Sequence, residues 1–173
     1  MGSAILQAFS AWFETTRLSW YLIHHPWVRP ASETLHLFGI AMLIGVIGAM
    51  DLRLLGVAKR LPFAPLYRLL PWAISGFAIC LATGSLFFAG APFQYIHNTA
   101  FWLKMLFIAL AGVNIFLFYT TGIFRNVEAL GSGDDAPVGA KVIAAVSLFL
   151  WIGVMYLGRL LPLVGEAFVA CHV

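Results

Sequence analysis

Two side chains capable of chemistry stand one turn apart at the start of a long apolar segment. Glu33 and His36 precede an uncharged run that ends at Asp51 and Arg53. On a helix, Glu33 and Asp51 project in the same direction and His36 lies about 60° away. Ionisable groups inside a membrane are costly and usually functional, but a carboxylate in a first helical turn can also act as a cap. Both roles stay open for Glu33, and His36, one turn deeper, is the stronger candidate for a functional site.

The other histidines are expected at the same membrane face as His36. A haem b needs two axial ligands, commonly imidazoles, and His36 with His97 would supply them. A quinone needs only one or two hydrogen-bonding groups at headgroup depth, which His36, Lys104 and Arg159 would supply. A copper or zinc site is a further alternative. Its ligands would be His24, His25, Cys171 and His172.

The composition identifies an integral membrane protein. Of 173 residues, 62% are hydrophobic and only 10% are charged, whereas a soluble domain has about 25% charged residues. The net charge of +3 is spread along the chain without a basic run, which argues against nucleic acid as a partner. No nucleophile–base pair or phosphate-binding loop is present, so a self-contained enzyme is not expected.

The apolar segments predict an all-α, four-helix antiparallel bundle formed by a single membrane domain, 1–173. A span needs about 20 apolar residues, and open strands cannot cross lipid because their backbone groups would lack partners. Residues 1–30 alternate apolar and polar side chains and predict an amphipathic helix in the membrane interface, closed by Pro26 and Pro30. Pro162 is expected to end the last span. The four predicted spans are 33–57, 69–91, 101–124 and 139–162.

Small residues at helical spacing predict where the spans touch. The ridges are Ala41/Gly45/Ala49 on the first span and Gly76/Cys80/Gly84 on the second, and such ridges let helices approach closely. Asn114 is expected to bond a neighbouring helix, and Trp151 to be core. At the face opposite His36, a polar cluster is expected from Asp51, Arg53, Tyr119 and Arg125.

Lysine and arginine are distributed unevenly between the connections. Four lie between the first and second spans, at Arg53, Lys59, Arg60 and Arg68, and none lies in the next connection. The positive-inside rule therefore predicts that both termini and His36 lie at the outer face of the membrane.

Short motifs are spread along the chain: ETLH at 33–36, DLRLLG at 51–56, LPWAISGF at 70–77, LATG at 81–84, KM at 104–105, AGVN at 111–114, SLFLW at 147–151 and GR at 158–159. They resemble those of a poorly characterised bacterial family of four-helix membrane proteins, which carries a domain-of-unknown-function label. The fold is also loosely similar to copper-resistance D-type membrane domains and to small b-type cytochromes. With the orientation above, the resemblance implies a bacterial inner membrane protein with both termini in the periplasm.

The resemblance implies a four-helix fold with Glu33 and His36 as its characteristic polar pair, and it implies no established activity. The chain departs from the cytochrome pattern, because no second histidine within a span faces His36 and Tyr119 stands where an inner ligand is expected. Three functions follow as hypotheses: an electron-transfer subunit holding a haem b or quinone near the outer face, an accessory subunit that binds other membrane proteins, and a metal-handling protein. In each, the expected partners are the lipid bilayer and other membrane subunits or a second copy of the chain.

Overall fold

The computed structural model describes residues 15–16, 20–21 and 24–170, with side chains up to residue 161, and this part of the chain contains helices and no strands. Four helical segments are long and apolar enough to cross a membrane, the second of which includes α2 and α3. The prediction of an all-α, four-helix membrane fold is therefore confirmed. The helices are α1 (Val28–Leu55), α2 (Phe63–Tyr67), α3 (Leu70–Gly90), α4 (Pro92–Ile96), α5 (Thr99–Thr120), α6 (Ile123–Glu128) and α7 (Val138–Ala170).

The long helices pack as two antiparallel pairs. One pair is α1 with α3, the other is α5 with α7, and contacts between α1 and α7 join them. The bundle has two ends, which we name by the residues of α1 that lie there. The His36 end contains the start of α1 and the helix α4, and the Arg53 end contains α2, α6 and the end of α1.

The closest approach of α1 and α3 is at a pair of glycines. A Cβ atom added to Gly76 would lie 2.6 Å from the Gly39 carbonyl oxygen, and one added to Gly39 would lie 2.8 Å from the Gly76 carbonyl oxygen. The predicted ridge of α3 is therefore a contact face. The predicted ridge of α1 is not, because Gly45 is exposed with nothing near its missing Cβ.

Two helix ends differ from the prediction. α1 begins at Val28 rather than at residue 33, because Pro30 falls in the first turn, where its missing N–H has no partner to lose. α7 continues to Ala170 through Pro162, so Pro162 does not end the last span, and membrane helices tolerate such prolines. Most of the predicted interfacial helix, 1–30, lies outside the described residues.

Two buried clusters fill the bundle, and two further predictions are met there. The Asn114 amide donates to the Ile143 carbonyl oxygen at 3.0 Å, which joins α5 to α7 as expected. Trp151 is 7% exposed and packs in the central cluster with Leu43 and Ala111. The second cluster, at the Arg53 end, includes Met50 and Phe118.

The Arg53 end is organised by one buried guanidinium. Arg53 is fully buried and donates to the carbonyl oxygens of Leu61, Gly131 (2.7 Å) and Asp134 (3.2 Å). It thereby holds the loop after α1 against the loop before α7. The polar cluster expected here does not form as predicted, because Arg53 bonds backbone carbonyls and Arg125 is exposed.

The same two loops are joined by an ion-pair bridge at their surface. Asp135 contacts Lys141 at 2.9 Å and Lys59 at 3.2 Å. Hydrogen bonds from Lys141 and then Lys59 lower the pKa of the Asp135 carboxyl below its usual value.

Candidate functional site

The imidazole of His36 is held between α1 and α3 in a fixed orientation. Its Nδ1 atom lies 2.6 Å from the Thr83 hydroxyl oxygen, and its ring meets the Phe87 ring edge-on at 5.6 Å. Gly84 lies beside the ring, since a Cβ atom there would be in ordinary contact with His36 Cε1 at 4.0 Å. The thiol of Cys80 donates to the His36 carbonyl oxygen at 3.6 Å. The predicted small-residue ridge of α3 therefore also shapes the site.

The bonds of Thr83 indicate which nitrogen of His36 carries the proton. The Thr83 hydroxyl has one hydrogen, and the Ile79 carbonyl oxygen at 2.7 Å is positioned to accept it. With that donation, the Thr83 oxygen accepts from His36 and Nδ1 carries the proton. In this tautomer the Nε2 atom of a neutral His36 keeps its lone pair for a ligand, a metal or a proton.

Lys104 brings a positive charge to the same part of the bundle. It is half-buried on α5, and a Cβ atom at Gly158 on α7 would lie 3.5 Å from its Nζ atom. Its charge acts on both His36 and Cys80. Gly158 therefore lies beside Lys104 as Gly84 lies beside His36.

Lys104 has no acidic partner among the residues whose side chains are described. The ion pairs in that part of the chain are Arg29–Glu33, Lys59–Asp135 and Lys141–Asp135. A half-buried ammonium without a carboxylate is costly in an apolar setting. The arrangement therefore favours a ligand that brings oxygen atoms or negative charge to Lys104.

Three predicted site residues are exposed at the edge of the site formed by His36 and Thr83. Glu33 is exposed and pairs with Arg29 at 3.4 Å. Because α1 begins at Val28, Glu33 is not in the first turn, and its predicted capping role is wrong. His97 is exposed at the end of α4, with Nδ1 at 3.0 Å from the Phe93 carbonyl oxygen, and Arg159 is exposed on α7.

A short helix covers this end of the bundle. Tyr95 of α4 packs edge-on against Phe101 of α5, and Phe101 stacks on Phe88 of α3. Burial raises the pKa of the Tyr95 phenol above its usual value. Aromatic rings therefore close the gap between α3 and α5 above the site.

A haem b would use His36 and His97 as its two axial ligands. The Nε2 atom of His36 can serve as one ligand, with its Nδ1–H held by Thr83, as is usual for ligating histidines. His97 is exposed, and its ring lies 4.3 Å from that of Phe93. The pairing of these two histidines around a haem stays a prediction.

The alternative metal ligands are not brought together within the described residues. The Nδ1 atoms of His24 and His25 bond the carbonyl oxygens of Trp20 and Tyr21 at 2.8 and 3.0 Å. No group of three or more histidine, cysteine or acidic side chains occurs in the part of the chain that was described. Cys171 and His172 lie outside it.

A family model matches residues 9–164 of the chain, which is most of its length, and includes every helix described above up to the last part of α7. It is the model of a family of unknown function, DUF6644. The chain belongs to this family. The resemblance to a poorly characterised family is thereby confirmed, and membership carries no activity with it.

No curated protein and no solved structure matches the chain. The function is therefore inferred from the residues of the site.

Proposed function

We propose that this chain is the membrane subunit of an electron-transfer system and that His36 and Lys104 bind the headgroup of a quinone. A quinone headgroup is a flat apolar ring with oxygen atoms on opposite sides. Lys104 would donate to one oxygen, and His36 Nε2 would accept from the hydroxyl of the reduced, quinol form. The observation that carries the proposal is the contact with Thr83, which leaves Nε2 as an acceptor when Nδ1 carries the proton. The charge of Lys104 acts on the same imidazole, and Lys104 has no carboxylate partner among the residues whose side chains are described.

A quinone suits this site better than the other ligands considered. It requires one acceptor and one donor near the end of a span, which is what His36 and Lys104 supply. A haem b would require a second axial ligand, and a purely structural subunit would gain nothing from a half-buried ammonium. The other two lysines of the chain, Lys59 and Lys141, both pair with Asp135.

The test is saturable binding of decylubiquinol, kept reduced under anaerobic conditions, to the protein in lipid nanodiscs. Hydrogen bonds to charged groups contribute about 1.5–3 kcal/mol, so Lys104→Met should weaken binding by about tenfold or more. His36→Ala should weaken it as well. The matched controls are Lys141→Met and His97→Ala, which change a lysine and a histidine away from the site. Equal binding by all five proteins would refute the proposal. A haem Soret band in the reduced-minus-oxidised spectrum would show that the chain binds a haem, which would contradict a quinone as the ligand.

The orientation and the compartment are also proposals. The lysine and arginine bias supports an orientation with the Arg53 end in the cytoplasm, and we propose that the His36 end lies at the periplasmic face of a bacterial inner membrane. A quinone bound at the His36 end would then lie at headgroup depth in the outer leaflet.

The exposed small-residue face of α1 supports a place in a larger membrane complex. Gly45 and Gly48 have nothing within 4 Å of their missing Cβ atoms, so another membrane helix can approach the α1 backbone closely there. Electron transfer would in any case require a redox partner. Native mass spectrometry from mild detergent should show a second subunit or a second copy, and a 19.0 kDa monomer alone would contradict the assembly.

A further inference from the structure

A second ionisable group is buried in the bundle, at the end opposite the proposed quinone site. Asp51 is only 6% exposed, and its Oδ2 atom is buried without a hydrogen-bond partner. It stands four residues before the end of α1, which is about 6 Å along the helix axis. Ser147 of α7 offers its hydroxyl to the same carboxyl.

The charged groups on the elements packed against Asp51 all have other partners or lie elsewhere. On α1, Arg53 directs its guanidinium to backbone carbonyls. On α7, Lys141 is paired with Asp135, while Arg159 and Glu166 lie toward the His36 end. On α2, the Tyr67 hydroxyl bonds that of Tyr119. The sequence of α3 contains no acidic or basic residue and no histidine.

The residues around Asp51 do not provide a site for a metal ion. Hard cations take about six or more oxygen ligands, whereas the neighbours of Asp51 on α1 and α7 include Met50 and Ala144, which are apolar. No cluster of three possible metal ligands occurs in the described residues. One carboxyl and one hydroxyl are enough to hold a proton.

We propose that Asp51, with Ser147, is a proton-binding site whose carboxyl holds a proton at neutral pH. An ionised carboxylate buried without a counter-charge is far more costly than the neutral acid. Asp51 lies one turn from the end of α1, so the path of the proton to water is short. It leads to the Arg53 end, where Arg53 joins the loop after α1 to the loop before α7. This proposal is independent of the quinone site.

The test is infrared spectroscopy of the protein in lipid at neutral pH. A protonated carboxyl has a C=O stretching band above the amide region, and this band shifts in D2O. Asp51→Asn should remove it, because the amide copies the shape of the neutral acid without the proton. The control Asp135→Asn, which changes an exposed ionised aspartate, should leave the band in place.

A second variant keeps the test valid if Asp51→Asn does not fold. The chain has three aspartates, Asp51, Asp134 and Asp135, so in the variant carrying Asp134→Asn and Asp135→Asn, Asp51 is the only one left. Labelling that variant with 13C-aspartate should shift the band. A band that is absent from the unsubstituted protein, that survives Asp51→Asn or that does not shift on labelling would overturn the proposal. If added sodium removes the band, the site binds a metal cation in place of the proton, which would also overturn the proposal.

In thermal unfolding, the contributions of Asp51 and Asp135 to stability are expected to change with pH in opposite directions. An unfolded aspartate titrates near pH 4. If Asp51 keeps its proton in the folded state, the unsubstituted protein loses stability relative to Asp51→Asn as pH rises above that value. Asp135, whose pKa is lowered by Lys141 and Lys59, stabilises the fold above that value and loses this contribution as pH falls. Parallel pH dependence of the two variants would contradict the inference.

Discussion

Thr83 decides which atom of His36 is available to a ligand. Thr83→Val keeps the shape of the side chain but removes the oxygen that accepts from His36 Nδ1. The loss of one hydrogen bond is worth about 1 kcal/mol, so we expect decylubiquinol to bind about fivefold more weakly. The measurement is the same nanodisc titration.

Thr83→Ser is the matched control for that variant, because it keeps the hydroxyl. It should bind the quinone as the unsubstituted protein does. If Thr83→Val binds equally well, the orientation of His36 does not depend on this bond.

Arg53 should be the most sensitive charged residue for stability. Its guanidinium serves three backbone carbonyls in two loops, and a buried acceptor left unpaired costs about 1–3 kcal/mol. Arg53→Met should therefore lower the free energy of unfolding by about 2–4 kcal/mol, as some of the carbonyls will gain water. Arg60→Met, which removes an exposed arginine, should change it by less than about 0.5 kcal/mol.

Single residues show both what the sequence predicts and what it misses. The expense of placing His36 and Lys104 in apolar segments identified both as candidates. Thr83 was missed, because threonine is unremarkable in a membrane helix and its bond to His36 spans 47 positions. Such a bond depends on the rotation of two helices about their axes, which no local pattern specifies.

At the scale of the helices, the α1–α3 contact predicts different effects on stability for alanine substitutions at two glycines. Gly76→Ala would place a methyl group against the Gly39 backbone, and overpacking of this kind costs about 1–3 kcal/mol. Gly45→Ala fills open space, so it should be neutral or slightly stabilising. The measurement is the free energy of unfolding of both variants in detergent. If Gly45→Ala is destabilised as much as Gly76→Ala, the face of α1 that contains Gly45 is also in contact with another helix, which would contradict the structure.

The existence of the helices was easier to predict than their ends or faces. Length and apolarity identify a span because lipid offers no partner to the backbone. Pro30 and Pro162 were misleading, since a proline stops a helix only where its N–H and the space around its ring are needed. The ridge at Ala41, Gly45 and Ala49 has the right spacing for a contact, but spacing alone does not say whether α3 or lipid lies against it.

For the whole molecule, the chain order and the basic residues predict an orientation. Reporter domains inserted in the segments 58–62 and 91–98 should lie on opposite sides of the membrane, with the first in the cytoplasm. The same side for both would contradict the four-helix arrangement. Opposite sides with the first outside would keep the fold and reverse the orientation.

The proposed function is tested most directly by the quinone content of the protein purified from its own membrane in mild detergent. Organic extraction and chromatography should recover close to one quinone per chain from the unsubstituted protein and from the controls Lys141→Met and His97→Ala. The variant that carries both His36→Ala and Lys104→Met should retain almost none while still inserting and folding. Equal quinone in all four proteins, or none in any of them, would contradict a quinone site at His36 and Lys104.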